Sequence, residues 1–305
     1  MILDTRLVIA AVDFTDEGWQ DTIAHAAHHA RTREVGVHLV HAVQKTPWLL
    51  RKVLDDDSVT SLENEQRQSA ERRLSDACAT LKEGGVEASF EVRTGKPSTE
   101  ILGAVTKKDA GLLVIGRGTT TSATAMLVGG TADRLLRASP IPVLVRGPNA
   151  PADIRHILVP TGLGPSGSQA LARAAKLVDP EQGGTVSAMH MVSLPGIMRA
   201  YSGDVNKLRA AVEAQARQEL EAHVSAIGAA HVSPVLRPIQ ESQTPDQLIL
   251  AYARAHEVDL ICLALGGRAF TTGPMIGRVS QRVIRALPCP LLALPDAWID
   301  QKLGR

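Results

Sequence analysis

Residues 112–147 read LLVIGRGTTTSATAMLVGGTADRLLRASPIPVLVRG, and residues 260–295 read LICLALGGRAFTTGPMIGRVSQRVIRALPCPLLALP. The two stretches align without a gap: Gly118 falls on Gly266, Gly129 on Gly277, Arg137 on Arg285, and Pro140 and Pro142 on Pro288 and Pro290. In each copy an apolar run is followed by a glycine-containing loop, a helical stretch and a second short apolar run. Apolar runs bounded by turn residues read as strands buried on both faces, and strands alternating with helices imply parallel pairing. The chain therefore reads as a duplicated α/β unit. Its 305 residues are enough for two domains with separate cores. The join is expected in GPNAPADIR, residues 147–155, where two prolines break the periodicity, which gives domains 1–148 and 149–305.

The same order extends outward from the loop through both halves. RLVIAAVDFTDEG opens the first half as a buried strand, and helical spacing runs from Trp19 to about Arg33. VGVHLVHAV is a second strand, and a long amphipathic helix then runs to the stop at Gly84-Gly85. EASFEVRTG reads as a third strand, and Pro97 stands near the start of the next helix. The second half repeats the pattern from HILVPTGLG to CPLLALP, with His190 in the place of His41. Each half is expected to be a doubly wound domain with a five-stranded, mostly parallel sheet. The connections TPWLLRKVLDDDS and SLPGIMRAYSGD either cover the sheet edge or line a ligand entrance, the first being the commoner use of such bulky apolar residues.

Composition narrows the function. The 33 Lys plus Arg nearly cancel the 32 Asp plus Glu, so the basic excess that nucleic-acid binding needs is missing. Three widely spaced cysteines point to a reducing, cytoplasmic setting. No leader is apparent at the start, and no apolar run approaches the length of a membrane span. The spacing of His25 and His29 could chelate a metal, but no second pair of ligands is visible, and no metal site is expected. His41 and His190 read as hydrogen-bonded core histidines. No nucleophile–base arrangement, Walker loop or paired-cysteine motif occurs.

Ligands of open parallel sheets bind outside the carboxyl ends of the strands, and a glycine loop entering a helix there can aim several N–H groups at one anion. The strand, glycine loop, helix and closing PIPVLV strand resemble the universal stress protein family over almost all of both halves. The resemblance implies a tandem member with Rossmann-like domains of the adenine nucleotide alpha hydrolase type. ATP-binding members carry Gly-x2-Gly-x9-Gly-Ser/Thr in the loop and an Asp after the first strand that contacts the nucleoside. In the first half Asp13, Gly116 and Gly129 match, whereas Thr119 replaces the second glycine and Gly130 the hydroxyl residue, with Gly118 and Thr131 one position away. In the second half Gly267 and Gly277 match, but Ala264 replaces the first glycine, Arg278 the hydroxyl residue and Gly162 the acid. Arg278 either pairs with a phosphate or turns outward, and the loss of the acid favours the second.

The resemblance thus implies a cytoplasmic stress-response protein that takes ATP, with Mg, in its first half and changes its affinity for a protein partner. The second half is degenerate. The closing strands imply an intramolecular pseudo-dimer or a homodimer. Two other readings stay open: a nucleotide-free adaptor or apolar-ligand binder whose glycines serve only tight turns, and a slow ATPase, for which no general base can be named.

Overall fold

The computed structural model describes residues 7–117, 130–147, 153–193, 203–240, 243–265 and 276–304. The chain divides into two compact units, one ending at Ala150 and the other running from Pro151 to Arg305.

The first unit contains β1 (Leu7–Ala11), α1 (Trp19–Arg31), β2 (Gly36–Val43), α2 (Asp56–Glu83), β3 (Ala88–Thr94), α3 (Pro97–Lys107), β4 (Leu112–Ile115), α4 (Gly130–Ala138) and β5 (Val143–Val145). Its strands lie in the order β3-β2-β1-β4-β5, every pairing parallel. Parallel strands need crossovers, and the helices supplying them cover the sheet, which is why Val8, Ile9, Ala10 and Leu112–Ile115 are buried. β3 at the edge carries Glu91 and Arg93 and is half-exposed, as an edge strand guarded against further pairing should be. The order reverses at β1 and β4, and this is where the fold opens a crevice at the carboxyl ends of the strands.

Helix α2 shows how pattern sets packing. Asp55 caps it by accepting a hydrogen bond from Ser58 N at 2.7 Å. Ala70, Leu74, Cys78 and Leu81, three or four residues apart, form its buried stripe. Gly85 ends the helix at φ 76°, a left-handed conformation that a side chain would disfavour.

The second unit contains β6 (His156–Pro160), α5 (Pro165–Ala175), β7 (Thr185–Val192), α6 (Val205–Ser225), β8 (Val232–Pro238), α7 (Pro245–Ala255), β9 (Leu260–Ala264), α8 (Arg278–Arg285) and β10 (Leu291–Leu294). The strand order is β8-β7-β6-β9-β10, again all parallel. Pro234 and Pro238 are tolerated because β8 is an edge strand. A terminal helix, α9 (Asp296–Leu303), has no counterpart in the sequence reading. It seals the unit by burying Trp298 and Ile299, with the Arg173 guanidinium 4.8 Å from the Trp298 ring centre.

Candidate functional site

β1 ends in a tight turn, DFTDEG, before α1 begins. Asp13 Oδ1 accepts hydrogen bonds from Thr15 N (2.9 Å) and Thr15 Oγ1 (2.7 Å), a local closure that short acidic side chains favour. Asp13 is exposed, and with Oδ1 committed its Oδ2 is the oxygen left to meet a ligand. β4 ends at Ile115, with Gly116 directly after it, and α4 begins at Gly130. The first N–H groups of a helix have no intrahelical acceptor, so the start of α4 offers donors and the positive end of a dipole.

These three segments meet. Asp13, Gly116, Gly130 and Thr131 line one cleft of about 180 Å³, several times the roughly 30 Å³ share of one water, with Asp16, His41 and Gln44 also on its wall. Gly118, Gly129 and Gly267 lie outside the described residues. Gly277 ends the loop of the second unit as the residue before α8, and Arg278 beside it is exposed.

The two described glycines of the first cleft differ in kind. A Cβ at Gly130 would meet nothing within 4 Å among the described residues, so their packing does not demand glycine there, and on that side the bare backbone is open. A Cβ at Gly116 would sit 2.5 Å from Asp16 Oδ2. Neither residue is among the glycines at positive φ, so freedom of approach rather than left-handed backbone is what glycine supplies here.

Asp16 is the residue that sequence reasoning missed. Its carboxylate is 9% exposed and accepts from Arg146 Nη2 at 2.7 Å and from Gly18 N at 3.0 Å. Arg146 follows β5 and is 10% exposed, its guanidinium packed so closely on Gly18 that a Cβ there would collide with it. Asp21 Oδ2 lies 3.7 Å from Arg146 Nη1. A buried ion pair of this sort loses hydration on both sides, so removing one partner costs far more than removing both. The signal was present as a break in the repeat: the corresponding residues of the second half are Pro165 and Leu294.

His41 donates from Nδ1–H to Val12 O (2.8 Å), and His190 repeats the bond, donating to Thr161 O (2.9 Å). Burial lowers the pKa of His41, only partly countered by that bond, which favours the neutral ring with Nδ1–H on the carbonyl. Arg117 follows Gly116, and burial, with Arg146 next in effect, lowers its pKa without discharging a guanidinium.

The α1 histidines serve packing. His25 and His29 are buried, and His29 Nδ1 lies 3.1 Å from Arg33 Nη1, which occupies the lone pair a metal would need. Among the described residues no group of three potential metal ligands occurs. Burial pushes the Cys262 and Cys289 thiols up to about 12, so neither is an activated nucleophile. The connection after β2 does not cover the sheet edge: Trp48 is 68% and Val53 77% exposed, with Leu49, Leu50 and Leu54 exposed beside them.

The profile of the universal stress protein family matches residues 5–146 and, a second time, residues 153–295. The chain belongs to the universal stress protein family. Universal stress protein MJ0531 of Methanocaldococcus jannaschii is 28% identical over 122 residues, 40% of this chain and 70% of that protein. The structure of a universal stress protein from Archaeoglobus fulgidus DSM 4304 superposes with a TM-score of 0.67 at 19% identity, over 95% of this chain and 96% of that one. The functionally unknown protein PA1789 from Pseudomonas aeruginosa PAO1 gives 0.67 at 16% identity, over 98% and 95%. At these identities the structural likeness speaks for the fold alone. This universal stress protein is therefore a tandem member with two copies of the family's α/β unit, and no helix among its described residues is long and apolar enough to cross a membrane.

Proposed function

We propose that this universal stress protein is a cytoplasmic, nucleotide-responsive binding module. Its first unit takes an adenine nucleotide, ATP with Mg, and its second unit does not. The observation that carries the reading is the convergence of Asp13, Gly116, Gly130 and Thr131, from three separate segments, on one cleft at the reversal of the strand order.

The residues present suit such a ligand. Asp13 would accept from the sugar hydroxyls of the nucleoside. The N–H groups at the start of α4 and the Thr131 hydroxyl would hold phosphate, and the open space over Gly130 admits it without a clash. Neutral His41 on the wall keeps that side of the cleft uncharged. In the second unit Gly162 stands where Asp13 stands in the first, and Arg278 where Gly130 stands, which removes the nucleoside anchor and places a long cation at the helix start. The exposed Trp48–Leu54 segment, which follows Gln44 of the cleft wall, supports a protein partner as the recipient of the signal.

Acid extraction of the purified protein, with mass identification of what is released, tests the reading. An adenine nucleotide at up to one per chain, absent from the Asp13→Ala variant, is expected. Extracts free of nucleotide, from protein that also fails to take up added ATP, would leave the module a nucleotide-free adaptor.

A further inference from the structure

The turn between β1 and α1 is held from two sides by arginines that come from distant parts of the chain. On one side Arg73 of α2 stacks on Phe14, 3.9 Å from the ring centre, and reaches Trp19 at 4.9 Å. Phe14 in turn meets His41 of the cleft wall with ring centres 4.6 Å apart. On the other side Arg146, 130 residues away, grips Asp16 at 2.7 Å. Asp16 also accepts from Gly18 N through its side chain and from Trp19 N through its carbonyl at 3.1 Å, so it closes the turn that leads into α1.

The burial of this pair has a structural cost visible in the neighbours. Gly18 makes room for the guanidinium and Gly116 for the carboxylate. Among the described residues, Asp16 Oδ2 and Arg146 Nε are buried without a hydrogen-bond partner. A surface ion pair could have held a turn without two glycines and two unsatisfied atoms. What the buried pair adds is direction: it ties the end of β5, packed beside Gly116, to the four-residue turn Asp13–Asp16, whose backbone closes with Asp16 N on Asp13 O at 3.0 Å.

We infer that Asp16 and Arg146 are positioning residues, a buried tether that fixes the Asp13 carboxylate opposite the start of α4. The second unit has Pro165 and Leu294 at these places and glycine in place of Asp13, so the tether and the carboxylate it holds are absent together. The inference rests on the nucleotide reading for its functional half, since Asp13 is the group being positioned.

Two measurements separate that half from the structural one. The variant is Arg146→Gln, backed by Asp16→Asn with Arg146→Gln, which leaves no buried charge if the single change fails to fold. Amide hydrogen exchange is followed at Thr15, whose N–H is held by Asp13, and at Ile9 within β1 as a control. Thr15 should exchange roughly tenfold faster in both variants, as for a locally loosened turn, whereas Ile9, which opens with the whole domain, should follow only their measured loss of global stability. ATP is then titrated into the same variants with Asp13 intact and with Asp13→Ala. Affinity should fall roughly tenfold with Asp13 present and less than about twofold once Asp13 is gone, the coupling expected when one residue acts through another. Unchanged Thr15 exchange would overturn the tether whether or not nucleotide binds. Equal losses of affinity in both backgrounds would overturn its action through Asp13. A wild-type chain that protects Thr15 through the pair yet takes no ATP would overturn the nucleotide reading and the positioning role, while establishing the tether as architecture.

Discussion

A methyl group at Gly116 would press on the buried oxygen of Asp16, whereas one at Gly130 would enter open space. Gly116→Ala should therefore destabilise the protein by about 1–3 kcal/mol, the range of overpacking, while Gly130→Ala should stay within about 0.5 kcal/mol or gain slightly from helix propensity. Urea unfolding of the two variants checks this, and equal losses would contradict it. Arg146→Gln alone should cost about 3–5 kcal/mol because it strands a buried carboxylate, and adding Asp16→Asn should recover part of the loss. At this scale the sequence shows Asp13 and the glycines but hides the pair that arranges them. Asp16 reads as one more acid in a polar turn, and Arg146 as a charge at the end of a strand, because nothing in a linear pattern brings residues so far apart into contact. Their one trace in the sequence is the asymmetry between the two copies, acid and arginine against Pro165 and Leu294, which acquires meaning only once the contact is seen.

Among the elements, α1 carries the pH dependence. Burial, and then Arg33, hold the His29 pKa well below its usual 6.5. The unfolded chain takes up that proton as the pH falls through about 6.5, and the folded chain does not, so stability is full above that pH and declines below it, by up to about 1.4 kcal/mol per pH unit for one group. His38, His41 and His223 are shifted in the same direction and add to the slope. Urea midpoints should fall from pH 8 to pH 5.5, and His29→Asn should make the fall shallower; an unchanged slope would contradict the assignment. The segment between β2 and α2 behaves oppositely to the core. Trp48→Ser should change stability by no more than about 0.5 kcal/mol, whereas Leu74→Ala, fully buried on α2, should cost about 2–5 kcal/mol. The strands and helices were legible because their periods differ and because glycine and proline punctuate them. The exposure of Trp48 was not, since an apolar run states that side chains avoid water without saying which surface will cover them. α9 was missed because it follows directly on a closing strand, separated by Pro295 alone, which starts the helix rather than ending the chain's order.

For the molecule as a whole, duplication supplied the frame, and the proposed function rests on divergence. Both units keep the strand order, the buried strands and the histidine that bonds the end of the first strand. These are requirements of folding, and one sequence repeated twice displays them plainly. The sequences of the units part at the cleft of the first, whose Asp13, Asp16, Gly130 and Arg146 correspond to Gly162, Pro165, Arg278 and Leu294 in the second. The fold survives such changes because each unit keeps its own complement at these places, a buried ion pair in the first and the buried apolar Leu294 in the second, whereas two equal binding sites are not expected to survive them. Titration calorimetry of ATP with magnesium into nucleotide-stripped protein tests this most directly. The account predicts one nucleotide per chain, lost in Asp13→Ala; no binding, two nucleotides per chain, or binding indifferent to Asp13 would contradict it.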